Sequence, residues 1–164
     1  MNYHNITKDD LVNGEGVRVV LWVAGCSHKC FNCQNPETWD EKSGIPFDKS
    51  AEDELFEELG KDYVSGITFS GGDPLFPNNR ETITNLCKKI RERYGNSKTI
   101  WSYTGFLYEN VKDLEIMKYL DVLCDGPFVQ KLKKPDIHWV GSLNQRVIDV
   151  PKTRKCGEII LWKK

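Results

Sequence analysis

The sequence has no apolar run approaching the ~20 residues that a membrane-crossing helix needs. Its first residues, Met1-Asn2-Tyr3-His4-Asn5, lack the charged and apolar stretches of a targeting peptide. A cytoplasmic location is therefore expected, where thiols stay reduced. An excess of one charge is also missing. The chain carries 23 Lys and Arg against 24 Asp and Glu, a formal net charge of −1. Neither nucleic acid nor a membrane surface is expected as a partner, since such binders usually show a basic excess. There is no internal repeat, low-complexity tract or long linker. The 164 residues suit a single domain spanning 1–164, with 151–164 as an extra strand or tail. A chain of that size buries roughly 70% of its extended surface and needs no covalent staples.

What the sequence does have is six cysteines. In a reducing compartment these are metal ligands, catalytic groups or core fillers rather than disulfides. Around them, strand-like and helix-like segments alternate. Val17 to Val23 is β-branched and apolar, a buried strand. Ser50 with Asp53 resembles a capping signal for a helix through Leu55, Phe56 and Leu59 that stops at Gly60. Ile67 to Phe69 is a short strand, and Ile83, Leu86, Cys87 and Ile90 mark a helix ending near Gly95. Thr99 to Tyr103 and Asp121 to Cys124 read as strands, with a helical stripe of Leu107, Val111 and Leu114 between them. Arg146 to Val150 and Ile159 to Trp162 are further candidate strands. This alternation predicts an α/β fold with a mostly parallel sheet and right-handed crossovers. Full closure takes ~250 residues, so a partial (β/α) barrel or open sheet is expected. Four strands end in loops of small or polar residues: the cysteine loop, Gly71-Gly72, Thr104-Gly105 and Asp125-Gly126. Ligands of parallel α/β folds sit at that edge.

The cysteine loop is Cys26-Ser27-His28-Lys29-Cys30-Phe31-Asn32-Cys33. Three thiolates this close can grip one metal centre. Structural zinc sites and cubane iron–sulfur clusters usually take four protein ligands, so a local set of three leaves one position open for chemistry. Other readings stand beside this one. The three cysteines fall on one face of a helix, which would make them a buried stripe. A zinc site could be closed by His28, Cys87, Cys124 or Cys156. Cys30 and Cys33 form a C-x-x-C that could be a redox pair. The loop Ser70-Gly71-Gly72-Asp73-Pro74, at the end of the next strand, favours the open cluster. Its glycines let backbone approach a ligand closely.

With C-x3-C-x2-C after one strand and S-G-G-D-P after the next, the chain resembles the radical S-adenosylmethionine superfamily. More narrowly, it is similar to the activating enzymes of anaerobic ribonucleotide reductase, through Met1-Asn2-Tyr3-His4, Val12 to Gly16, Thr38-Trp39, Asp125 to Val129 and Gly141 to Arg146. The resemblance implies a partial barrel of the radical S-adenosylmethionine type and a 4Fe-4S cluster on Cys26, Cys30 and Cys33. It implies S-adenosyl-L-methionine on the open iron, split by one electron to a 5′-deoxyadenosyl radical that generates a glycyl radical on the large catalytic subunit of the reductase. A low-potential electron donor is implied as a second partner. By matching position, Gly71, Gly72 and Asp73 meet the methionine amino group, Asn32, Cys33 and Gln34 line the adenine, and Thr104 and Asp125 contact the ribose or a nearby ion. The sequence departs from the pattern where Asn32 replaces a frequent aromatic and Gln34 a common tyrosine.

Among the remaining residues, Cys87 and Cys124 read as core packing. His28 reads as a solvent-facing loop residue or as a group bonded behind the cluster ligands. Trp39 and Trp139 read as core, with site lining as the alternative. The run Lys131 to Lys134 reads as a solvated face. Other functions consistent with the residues are an activase for a different glycyl-radical enzyme, a small-molecule radical enzyme, and a zinc-stabilised binding module without catalysis. A short chain leaves little material to cover a small substrate, which favours a macromolecular one.

Overall fold

In the computed structural model, which describes residues 1–163, seven strands form one open mixed sheet. They are β1 (Asn2–Asp10), β2 (Arg18–Val23), β3 (Ile45–Pro46), β4 (Gly66–Gly71), β5 (Thr99–Tyr103), β6 (Val122–Asp125) and β7 (Arg146–Asp149). Their order is β3-β1-β2-β4-β5-β6-β7. The central strands β2, β4, β5 and β6 run parallel. β1, β3 and β7 pair antiparallel to their neighbours, so the parallel character expected from the sequence holds for the centre and not for the edges.

Side chains alternate between the faces of a strand, and here the two faces differ in chemistry. Val19, Leu21 and Val23 of β2, Ile67 and Phe69 of β4, Ile100 of β5 and Leu123 of β6 enter one buried cluster. The same cluster takes Leu55 and Leu59 from α1 (Lys49–Leu59) and Ile83, Leu86, Cys87 and Ile90 from α2 (Arg80–Tyr94). It also takes Val111 from α3 (Tyr108–Val111) and Val150 from α4 (Val150–Cys156). All four described helices thus cover one face, where each buried aliphatic side chain contributes roughly 1.5–3 kcal/mol. The opposite face carries Trp101, Val122 and Cys124, packed with Tyr103, Trp139, Val140, Val147 and Trp162. No helical residue enters that second cluster among the described residues.

Several boundaries differ from the sequence pattern for identifiable reasons. The cap of α1 is Asp48, whose carboxylate accepts from the Ala51 N–H at 3.0 Å. Ser50 lies inside the first turn, because Asp48 already satisfies the orphan amide. Asp48→Ala is expected to cost about 1 kcal/mol, read as a lower urea midpoint with unchanged slope. The stripe of Leu107, Val111 and Leu114 is not a continuous helix. Leu107 and Leu114 are both extended, so only the four-residue α3 and a 3-10 turn over Glu115–Lys118 form. β1 was not visible in the sequence. Two register irregularities interrupt its alternation, and Asp9 takes a positive φ of 53°. Ile159 to Trp162 is not a strand but a single bridge, Ile148 to Leu161, flanked by Asp149 N–H to Ile160 O at 2.8 Å and Trp162 N–H to Val147 O at 2.8 Å. Before it, α4 starts from the Asp149 side chain, with a proline in its first turn, and stops at Gly157.

Candidate metal centre

The carboxyl ends of β2, β4 and β5 open onto a cavity of about 360 Å³ on the face without helices. Such a volume suits a small-molecule or cofactor site. Cys26, Cys30 and Cys33 all line it, together with Gln34, Ser70, Gly71, Gly72, Thr104 and Gly105. Trp22, Tyr103 and Trp139 form its aromatic side.

The cysteine loop contains no helix, which removes the reading of a buried helical stripe. Gly25 N–H donates to Thr38 O at 2.7 Å and Cys26 N–H to Trp39 O at 3.0 Å, so the loop is pinned at its start. Cys33 N–H donates to Cys30 O at 3.1 Å and closes a turn. Asn32 occupies that turn with a φ of +56°, a conformation asparagine tolerates better than an aromatic residue does. Asn32 is exposed and lies outside the cavity lining. The thiols are half-buried and free. Burial pushes the Cys26 thiol up from its ordinary value, opposed by hydrogen bonds from the backbone at His28 and Lys29.

The distant candidates for closing a zinc site lie outside the cavity lining. Cys87 sits in the main core, Cys124 in the second cluster, and Cys156 is exposed at the end of α4. His28 does line the cavity, but its Nε2 lies 2.8 Å from Asp73 Oδ2. Among the described residues, no three His, Cys, Asp or Glu side chains are gathered as ligands of a single ion. Cys26, Cys30 and Cys33 are the cysteines that line this cavity among the described residues.

The Gly-Gly loop is stitched to the cysteine loop. Gly72 N–H donates to Val23 O at 2.8 Å and Asp73 N–H to Gly25 O at 2.7 Å. Gly71 has a φ of +99°, and a Cβ there would lie 2.7 Å from both Val23 N and Val23 O. Only glycine fits so close to a neighbouring strand. Asp73, by contrast, is turned away from the cavity and is 1% exposed. Its Oδ1 accepts from Leu75 N–H at 2.8 Å, and its Oδ2 accepts from Thr104 Oγ1 and Gly105 N–H, both at 3.0 Å.

Asp125 is also absent from the cavity lining and wholly buried. It faces Arg146 across the β6–β7 register and accepts from Arg146 Nε at 3.0 Å and Tyr108 N–H at 2.7 Å. The cavity is instead completed by Trp22 and Tyr103, which the sequence did not single out, and by Gln145 of the Gly141 to Arg146 stretch. Gln145 Oε1 accepts from Gly141 N–H at 2.9 Å while its Nε2 donates to Gly126 O at 3.0 Å, which clamps the Gly-Ser-Leu-Asn-Gln segment over the β6 end. Trp39 lines the cavity, and its buried indole N–H has no hydrogen-bond partner among the described residues.

The class is given by a family model described as a 4Fe-4S single cluster domain, which matches residues 12–148, so the chain belongs to that family. The chain is also similar over most of its length to proteins named anaerobic ribonucleoside-triphosphate reductase-activating protein. That of Enterobacteria phage T4 is 46% identical over 147 residues, covering 90% of this chain and 93% of the relative. That of Escherichia coli is 42% identical over 151 residues, covering 90% and 97%. That of Pasteurella multocida is 36% identical over 151 residues, covering 88% and 95%. The chain belongs to this family of anaerobic ribonucleoside-triphosphate reductase-activating proteins.

Proposed function

We propose that the chain activates an anaerobic ribonucleotide reductase by generating a glycyl radical on its large catalytic subunit. The observation that carries this is the wall of one cavity. Cys26, Cys30 and Cys33 share it with Gly71 and Gly72, and no further cysteine lines it among the described residues. In this reading the three thiolates hold a 4Fe-4S cluster and leave one iron to S-adenosyl-L-methionine. The bound cluster supplies one low-potential electron for reductive cleavage of that cosubstrate.

The chain's own residues bind and orient. Gly71 and Gly72 offer main-chain groups to the methionine end, since the Asp73 carboxylate is already fully hydrogen-bonded. Gln34 and Thr104 border the adenosine side, with Trp22, Tyr103 and Trp139 excluding water. Asn32 contributes its turn conformation and Asp125 its hold on Arg146, rather than contacts to the cosubstrate. In this reading the parallel strands β2, β4, β5 and β6 would serve as the partial barrel of a radical S-adenosylmethionine enzyme. A reducing cytoplasm would supply the electron donor and keep the thiols free.

The test mixes reduced, anaerobically reconstituted protein with S-adenosylmethionine and the large subunit of an anaerobic ribonucleotide reductase. Expected are 5′-deoxyadenosine and an electron paramagnetic resonance doublet from a glycyl radical. One tightly held zinc with no sulfide, or no deoxyadenosine in the mixture, would reject the reading.

A further inference from the structure

Asp73 is an unusual member of a ligand-binding loop, because nothing of its carboxylate is left for a ligand. It is 1% exposed and takes contacts from three separate strand-end segments. Leu75 N–H belongs to its own loop, and Thr104 Oγ1 and Gly105 N–H belong to the end of β5. The remaining contact, His28 Nε2 at 2.8 Å, comes from the middle of the cysteine loop. Asp73 Oδ2 already accepts from Thr104 and Gly105, so Nε2 is placed as a further donor to it.

Everything around the His28 ring is arranged to keep it there. The ring meets Phe106 edge-on, with centroids 4.5 Å apart. Beneath it, residue 105 must be glycine: a Cβ at that position would come within 2.3 Å of His28 Cδ2. His28 lies two residues from Cys26 and two from Cys30. Whatever fixes its ring also fixes the arc of chain that carries the thiols.

We propose that His28 is a positioning residue: by donating to Asp73, it locks the cysteine loop to the Gly-Gly and Thr104-Gly105 loops and so sets where the cluster faces the cosubstrate. This assigns Asp73 the role of a hub between three loops, in place of a direct contact to the methionine amino group. Outer partners of metal ligands typically contribute 10–100-fold to metal affinity when they are intact. The inference rests on the cluster reading above.

Wild type, His28→Phe, His28→Gln and Gly105→Ala are reconstituted anaerobically. Each is titrated with a ferrous chelator, and the reduced cluster's electron paramagnetic resonance spectrum is recorded with and without S-adenosylmethionine. Phenylalanine keeps the ring packing and loses the donor, whereas glutamine keeps a donor. His28→Phe and Gly105→Ala are expected to lose half their iron at about tenfold less chelator than wild type. Both should also lose the spectral change that S-adenosylmethionine produces in wild type, and His28→Gln should restore most of both properties. If His28→Phe matches wild type, or His28→Gln fails as badly as His28→Phe, the positioning role is overturned. A variant that does not fold, as judged by circular dichroism of the apo form, leaves the decision to Gly105→Ala, which retains both His28 and Asp73. A wild type that takes up no iron overturns the cluster reading itself, which is a different failure from equal behaviour of all four proteins.

Discussion

Cys30→Ala is expected to leave the fold intact and strip the protein of its iron. Cys30 is half-buried on the cavity wall, in a segment without regular structure, so removing its thiol takes no side chain from the main core. On the proposed ligand set, two remaining thiolates would be too few to hold a cubane cluster. Reconstitution should fall from about four irons per chain to a small fraction of that. Loss of an outer partner alone costs about 10–100-fold, so loss of a ligand should cut S-adenosylmethionine cleavage by more than about a hundredfold. Cys87→Ala is the matched control. Cys87 is fully buried among Ile83, Leu86 and Ile90, and burial pushes its thiol far above the ordinary value. That variant should lose stability by about 1 kcal/mol, as small core truncations do, and keep its full iron content. Equal iron loss in both variants would mean that the cysteine loop is not the ligand set.

Arg18→Met is expected to destabilise the fold although it removes a buried charge. Arg18 begins β2 on the face away from the helices and is wholly buried. Its guanidinium has no carboxylate within the hydrogen-bonding set. Nε donates to Thr68 Oγ1 at 2.7 Å, Nη1 to Glu15 O and Thr99 Oγ1 at 2.9 Å, and Nη2 to Ile67 O at 2.6 Å and Thr99 O at 3.1 Å. The group also lies over Trp101, 5.2 Å from the ring centroid. Burial lowers its pKa to about 10, so it stays charged at neutral pH. Two effects compete on substitution. Methionine removes the cost of burying a charge, which alone would stabilise the fold. It also leaves several buried acceptors short of a donor, at ~1–3 kcal/mol each, and removes the cation–π contact. Five donor contacts outnumber one desolvated charge, and the Glu15 carbonyl anchors the loop before β2. The net loss should be about 3 kcal/mol, measured as a fall in the urea midpoint at constant slope. A change below ~1 kcal/mol would show that desolvation and hydrogen bonding cancel at this site.

Arg18 also illustrates what the sequence hides. The run Val17 to Val23 was legible as a buried strand because six of its seven residues are apolar, yet the charged one is buried too. Its partners, Thr68 and Thr99, are brought alongside only by the parallel pairing of β2, β4 and β5. Strand β5 and the stop at Gly95 were readable for a simpler reason: short-range patterning decides them. The three cysteines and the two glycines were readable because their chemistry lies in contiguous loops. Asp73 and Asp125 were not. Each looks like an acid at a strand end, and only the folded chain shows that His28 and Thr104 claim one and Arg146 the other. The aromatic side of the cavity, Trp22, Tyr103 and Trp139, is gathered from three distant segments with no local signature.

The two rims of the sheet bear on how a partner can be met. At one rim, β1 breaks register twice and ends in Lys8, Asp9 and Asp10, while the two-residue β3 covers its start at Asn2 and Tyr3. At the other, residues 160–162 already occupy the outer hydrogen bonds of β7. Bulges, charge and short covering segments are how proteins keep a sheet from growing by strand addition. Strand addition by an extended segment of another protein is therefore disfavoured where these features sit, at the start of β1 and along β7.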